Sequence, residues 1–169
     1  LYMGCDFTAF KQEPAQRITS PTILWNHRWE FDKQPHVFFR TLYDLVEEGI
    51  DFQLIILGEN FQVHPKEFIE AREKLADRIL QYGFVESLED YAGFLAQADI
   101  VVSTAVQENF GFAVAEAIYA HTLPVLPRRL SYPELLEERF HDTFLYDSDD
   151  DLREKLKWTV SYTHLTLPT

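Results

Sequence analysis

Glu108 and Glu116 stand eight residues apart in the stretch TAVQENFGFAVAEAIYA, residues 104–120, with the step Phe110-Gly111 between them. The preceding Ile100-Val101-Val102-Ser103 reads as a strand, and the small-residue run after Gly111 as a helix. A strand that passes through a short glycine loop into a helix builds an anion site. The first N–H groups of the helix lack partners and carry the positive end of its dipole. Gly111 has no Cβ to hold a phosphate away. Glu116 falls among Ala113, Val114, Ala115, Ala117 and Ile118, where a carboxylate needs a partner. A vicinal diol, such as that of a ribose, would give it two donors. The same spacing also fits a helix whose two acids are a first-turn charge and a surface group.

A second set of polar residues follows the first apolar run, in Asn26-His27-Arg28-Trp29-Glu30-Phe31-Asp32-Lys33. A guanidinium binds a diphosphate with a planar fork, and an ammonium adds a mobile point charge. Arg28 and Lys33 therefore form a candidate anion clamp, provided the fold brings them to the Gly111 helix tip. His27 is either a ligand donor or a ring satisfied by backbone. Trp29 packs on this domain or on a neighbouring one. Glu134, in Ser131-Tyr132-Pro133-Glu134, is a first-turn acid within reach of a cleft.

The elements that must position these groups alternate. Apolar runs predict strands at 22–25, 52–57, 79–85, 100–104, 123–126 and 143–146. Helical spacing predicts helices at 33–48, 65–75, 87–97, 111–120, 132–138 and 149–158, with Ser87 as an N-cap and Asp90 in the capping-box position. These βα units imply an α/β fold, a Rossmann-like, doubly wound parallel sheet of about six strands. The first and fourth strands are neighbours in such a sheet, and ligands bind beyond the carboxyl ends of its strands. Both the Gly58 turn and the Glu108–Gly111 loop fall there. Residues 1–21 read as a linker or interdomain connection, 22–158 as the Rossmann-like, ligand-binding domain, and 159–169 as an unstructured or foreign tail.

Composition narrows the function classes. The chain has 169 residues, enough for a single core, and 46% of them are hydrophobic. No apolar run approaches a membrane span, and the start at Leu1 without methionine suggests a piece of a longer protein. Cys5 is the only cysteine, which fits a reducing, cytoplasmic setting. A net charge of -13 argues against this chain gripping nucleic acid by itself. The sequence has no G-x-G-x-x-G, no P-loop, no H-E-x-x-H and no C-x-x-C, and its scattered histidines suggest no metal cluster. No cofactor or metal is expected.

Taken together, Arg28 with Lys33 and the Glu108-x7-Glu116 pair around Phe110-Gly111 resemble the retaining GT-B glycosyltransferases of family 4. The run Ile23-Leu24-Trp25-Asn26-His27-Arg28-Trp29-Glu30-Phe31-Asp32-Lys33, with Val101–Ala105 and Leu130–Glu134, is similar more narrowly to the tRNA-queuosine mannosyltransferase group. The resemblance covers roughly residues 20 to 157 and implies the C-terminal, donor-binding half of a GT-B fold. It implies transfer of mannose from a nucleotide sugar, GDP-mannose, to queuosine in tRNA, with retention and without a metal. It implies that Arg28 and Lys33 hold the diphosphate and that Glu108 acts at the sugar hydroxyls as a catalytic residue with them. Asn109, Phe110, Gly111 and Phe112 lie against phosphate and sugar on this basis, with His27 and Gly58 nearby. Glu116 takes the ribose, and Phe84 and Val85 lie by the nucleobase. The N-terminal acceptor half is absent, so the fragment is expected to be inactive alone and to meet tRNA only through the full-length enzyme, with no membrane partner. The alternative is a non-catalytic nucleotide or sugar-phosphate binding module.

Overall fold

The computed structural model describes residues 20–59 and 65–166, the last three by their backbone only. Most of the expected linker, residues 1–19, lies outside the described residues. Six strands form one parallel sheet: β1 (Thr22–Trp25), β2 (Gln53–Leu57), β3 (Ile79–Gly83), β4 (Ile100–Val102), β5 (Leu123–Pro127) and β6 (Leu145–Tyr146). Their order is β3-β2-β1-β4-β5-β6, the doubly wound arrangement, and Ile23 and Leu24 of β1 pair with Ile100 and Val101 of β4. The strand order reverses between β1 and β4, which opens a crevice at their carboxyl ends.

Side-chain alternation sends each strand to two cores. Ile23 and Trp25, Leu54 and Ile56, and Ile100 and Val102 face one core. That core is closed by helices α1 (Pro35–Glu47), α2 (Lys66–Lys74) and α6 (Asp149–Thr166). Leu24, Ile55, Leu57 and Val101 face the other, under α3 (Leu88–Gln97) and α4 (Phe112–Tyr119). The first core is aromatic: Trp25 lies 4.9 Å from Phe38, and Trp29 stacks on Phe68 at 4.2 Å and 12°. Trp29 is 1% exposed and donates its indole N–H to Leu57 O. It therefore packs on this domain, and a stacked pair of this kind contributes about 0.5–1.5 kcal/mol beyond its area. The anchored Trp29 fixes the loop that carries Arg28 and Lys33.

Local signals set most boundaries. Ser87 Oγ accepts from Asp90 N at 3.2 Å, so the predicted cap forms. The first helix starts at Pro35 and not at Lys33, because Gln34 turns left-handed at φ 47 and Phe31–Lys33 closes as a 3-10 turn. The helix expected at 132–138 is replaced by two 3-10 turns, Tyr132–Leu135 and Glu138–Phe140, and a short α5 (His141–Phe144) shortens the last strand. The break expected at residue 158 does not occur. The helix α6 continues to Thr166, with Thr159, Val160 and Thr163 buried and Val160 in the first core. Residues 159–166 are thus helical; an unstructured tail is contradicted there, because burying that face favours continuing the helix.

Candidate functional site

Two loops at the carboxyl ends of β1 and β4 are stitched together. Val106 N donates to Asp32 O at 2.8 Å, and Thr104 Oγ1 donates to Lys33 O at 2.6 Å. Arg129, beyond β5, donates Nε to Ala105 O at 3.0 Å and secures the same loop from the other side. The result is a cleft of about 470 Å³ lined by Arg28, Glu30, Phe31, Asp32, Lys33, Gln107, Glu108 and Asn109. The convergence of Arg28 and Lys33 with the Glu108 loop, expected from sequence, is present.

The two cations differ in kind. Lys33 is buried, donates to Gln107 O at 2.7 Å and lies 3.2 Å from Glu108 Oε2 and 3.1 Å from Asp32 Oδ2. It is a fixed charge, not the mobile ammonium expected. The Arg28 guanidinium is 65% exposed and meets only Glu30, at 3.0 Å, among the described residues. An exposed pair of this kind contributes about 0–1 kcal/mol, so it costs little to break.

Glu108 fills the expected anion site itself. Its Oε1 accepts from Asn109 N at 3.1 Å, Phe110 N at 3.4 Å and Gly111 N at 3.1 Å. Burial alone would raise its pKa, but the Gly111 N–H and Lys33 outweigh that and hold the carboxyl below its ordinary value. The amides expected to hold phosphate are therefore already paired, and an ionised carboxylate is presented at the cleft wall. Gly111 is also required by the backbone itself. It sits at φ 70, and a Cβ there would come within 3.1 Å of Leu135 Cδ1. Its missing side chain makes room for the Tyr132–Leu135 turn.

Other predicted residues separate. The His27 ring is buried and donates Nε2–H to Val102 O, 3.2 Å away, since a carbonyl can only accept. It is satisfied by backbone. Burial first, then the Lys33 charge, lowers its pKa to about 4, so it is neutral near pH 7. Gly58, at φ 92, lets the chain pass the His27 carbonyl, which an added Cβ would meet at 2.5 Å. Phe84 and Val85 line a different cavity of about 480 Å³ with Glu89, Asp90 and Phe94 of α3. Phe110 and Phe112 are solvent-exposed and stack on each other at 5.4 Å. Phe110 and Glu134 line a third cavity of about 550 Å³ with Glu108 and Ser131, so Glu134 does reach the far side of the Glu108 wall.

Glu116 lies on the α3 side of α4, half-buried, and its Oε2 accepts from Tyr91 OH at 2.9 Å. Asn26 Nδ2 donates to the same hydroxyl at 3.3 Å and to Ala113 O at 2.7 Å. Tyr91, a further residue of this cluster, sits in an ordinary helix and carries no local mark in the sequence. Asn26 carried a signal only as the first polar residue after β1. Among the described residues no group of three or more His, Cys, Asp or Glu could hold a metal ion, and no helix is long and apolar enough to cross a membrane.

The chain matches the sequence family of glycosyl transferases group 1 over residues 6–163. It belongs to that family. A tRNA-queuosine alpha-mannosyltransferase of Drosophila melanogaster is 36% identical over 165 residues, covering 92% of this chain and 42% of that protein. A GDP-mannose-dependent alpha-(1-6)-phosphatidylinositol dimannoside mannosyltransferase of Mycobacterium tuberculosis is 29% identical over 124 residues, covering 72% of this chain and 32% of that protein. The chain thus spans less than half the length of either relative. Among solved structures, the C-terminal domain of a group 1 glycosyl transferase, LpcC, from Francisella tularensis matches with a TM-score of 0.74 at 19% identity, covering 96% of this chain and 90% of that one. The Rossmann-like sheet is the fold of the group 1 family's C-terminal domain, as expected. Within that family fold, the Arg28–Lys33 loop and the Glu108 loop close on one cleft at the β1–β4 switch point.

Proposed function

We propose that this chain is the donor-binding half of a retaining glycosyltransferase that moves mannose from GDP-mannose to queuosine in tRNA. The observation that carries the proposal is the shared cleft: Arg28 and Lys33 face Glu108 and Asn109 across the crevice where the strand order reverses. When the bond from the anomeric carbon to the diphosphate breaks, negative charge collects on the diphosphate. The exposed Arg28 fork takes that charge directly, and the buried Lys33 fixes the field from below. No metal is needed for this role in the proposal. Glu108, held ionised by the Gly111 amide and Lys33, accepts hydrogen bonds from the sugar hydroxyls. Glu116 takes the ribose. The cleft holds three carboxylates and two cations, so positioned donors and not net positive charge must select the diphosphate.

Mannose, GDP and queuosine are supported by the names of the two relatives and by the HRWE-x-DK run. We place the acceptor contacts, including tRNA, in the portion of the full-length enzyme outside this chain, and the enzyme in the cytoplasm. The test is a transfer assay with GDP-mannose and queuosine-containing tRNA. The full-length enzyme should label the tRNA, and this chain alone should bind donor without turnover. Failure of the full-length enzyme to label would contradict the acceptor assignment, and labelling by the chain alone would contradict the division of labour.

A further inference from the structure

The Glu116 carboxylate is gripped from one side only. Tyr91 OH donates to Oε2 at 2.9 Å, while Oε1 accepts no hydrogen bond among the described residues. The direction of the chain behind that bond is fixed. Ala113 O is a carbonyl and can only accept, so the amide nitrogen of Asn26 must face it at 2.7 Å. The same nitrogen faces Tyr91 OH at 3.3 Å and can only donate. The Tyr91 oxygen is thereby used as an acceptor, and its proton is directed to Glu116. Asn26 follows β1, Tyr91 is in α3 and Glu116 is in α4, so the relay ties the switch-point strand to both helices. Asn26 Oδ1 is buried without a hydrogen bond among the described residues, a cost that the amide's two donated bonds must offset.

We propose that Tyr91 is a positioning residue for donor recognition: it clamps one oxygen of Glu116 and turns the other towards the vicinal diol of the nucleotide's ribose. This rests on the assignment of the ribose to Glu116 made above. A carboxylate with one oxygen clamped accepts a diol in one orientation, whereas a free one samples several and loses that order on binding. The electrostatics agree with the geometry. Burial raises the Glu116 pKa, and the hydrogen bond from the neutral Tyr91 hydroxyl pulls it back. Burial, followed by the Glu116 charge, keeps the Tyr91 hydroxyl protonated. Removing the Tyr91 hydroxyl should therefore leave Glu116 harder to ionise, and diol binding should fail at a higher pH than before.

The experiment titrates the chain with GDP, UDP and ADP, each against its 2′,3′-dideoxy form, across the acid range. The wild type should prefer the ribo form of the nucleotide it binds best. That preference should fade as pH falls through the Glu116 pKa. Glu116→Gln should abolish both the preference and its pH dependence. Tyr91→Phe should reduce the preference about tenfold and move its acid limb to higher pH. Tyr91→3-fluorotyrosine keeps the side chain's size and strengthens the donated bond, so it should move the limb to lower pH. A purely structural Tyr91 would weaken ribo and dideoxy forms alike and leave the limb in place, which would overturn the proposal. An intact ribo preference in Glu116→Gln would overturn the ribose assignment and the proposal with it. No binding of any nucleotide by the wild type would overturn the donor site as a whole. Loss in Glu116→Gln with no shift in either Tyr91 variant would overturn the Tyr91 role alone.

Discussion

Lys33 and Glu108, 75 positions apart, meet at 3.2 Å, and the other oxygen of Glu108 lies 3.1 Å from the Gly111 N–H. A single carboxylate thus joins the cationic turn after β1 to the tip of α4. It occupies the amides that a phosphate would otherwise use. Glu108→Ala should free three N–H groups and remove a negative charge from the cleft. Inorganic phosphate and GDP should then bind at least as tightly as to the wild type. The extra affinity of GDP-mannose over GDP should vanish, and transfer by the full-length enzyme should be lost. Parallel titrations with GDP and GDP-mannose check this; a preserved preference for the sugar nucleotide would show that Glu108 does not face the sugar.

The two site glycines should differ in their tolerance of a methyl group. Gly58 has φ 92, and an added Cβ would stand 2.5 Å from the His27 carbonyl oxygen, which is backbone and cannot yield. Gly111 has φ 70, and its Cβ would meet the flexible Leu135 Cδ1 at 3.1 Å. Gly111→Ala should cost about 1–2 kcal/mol from the left-handed backbone alone. Gly58→Ala should cost more, about 3 kcal/mol or above, because strain and a backbone clash add. Urea unfolding of both variants measures the difference, and equal losses would contradict it.

The buried neutral His27 makes stability depend on pH in a defined window. Its pKa falls from 6.5 to about 4 on folding, so between those values the unfolded chain binds a proton that the folded chain refuses. Its contribution is complete above about pH 6.5 and is lost as pH falls towards 4. The full effect is on the order of 3 kcal/mol. Glu116 has a raised pKa and works in the opposite sense, since its folded form gains a proton first. Comparison with His27→Gln cancels that background and keeps an N–H for Val102 O. Unfolding curves near neutral pH and near pH 5 should show a steeper acid loss in the wild type than in His27→Gln. Parallel slopes would mean that the ring is not held neutral.

The fold was largely legible because alternating apolar runs and helical spacing are local signals. The neighbouring positions of β1 and β4 followed from the βα count, and with them the meeting of Arg28 and Lys33 with the Glu108 loop. The sequence also marked Ser87 as a cap and Glu116 as an acid in need of a partner. It did not show that the partner is Tyr91, 25 positions away and relayed from Asn26, because nothing local distinguishes that tyrosine. Nor did it show Glu108 turning back on its own helix tip. The Phe110-Gly111 step fits either a capped tip or an open one, and in the fold Glu108 Oε1 caps it. The end of α6 was misplaced because Thr159 and Thr163 are unremarkable helix formers that became helical through burial.

In the proposed function a sugar nucleotide's diphosphate sits on Arg28 in the cleft shared with Glu108. Equilibrium titration of the chain with GDP-mannose, comparing the wild type with Arg28→Ala, measures that contact. The guanidinium is exposed and paired only with Glu30 among the described residues, so its loss should leave the fold and melting temperature unchanged. Saturable binding by the wild type, weakened about tenfold or more in Arg28→Ala, is the expected result. Equal affinities for the two proteins, or no binding by the wild type, would contradict it.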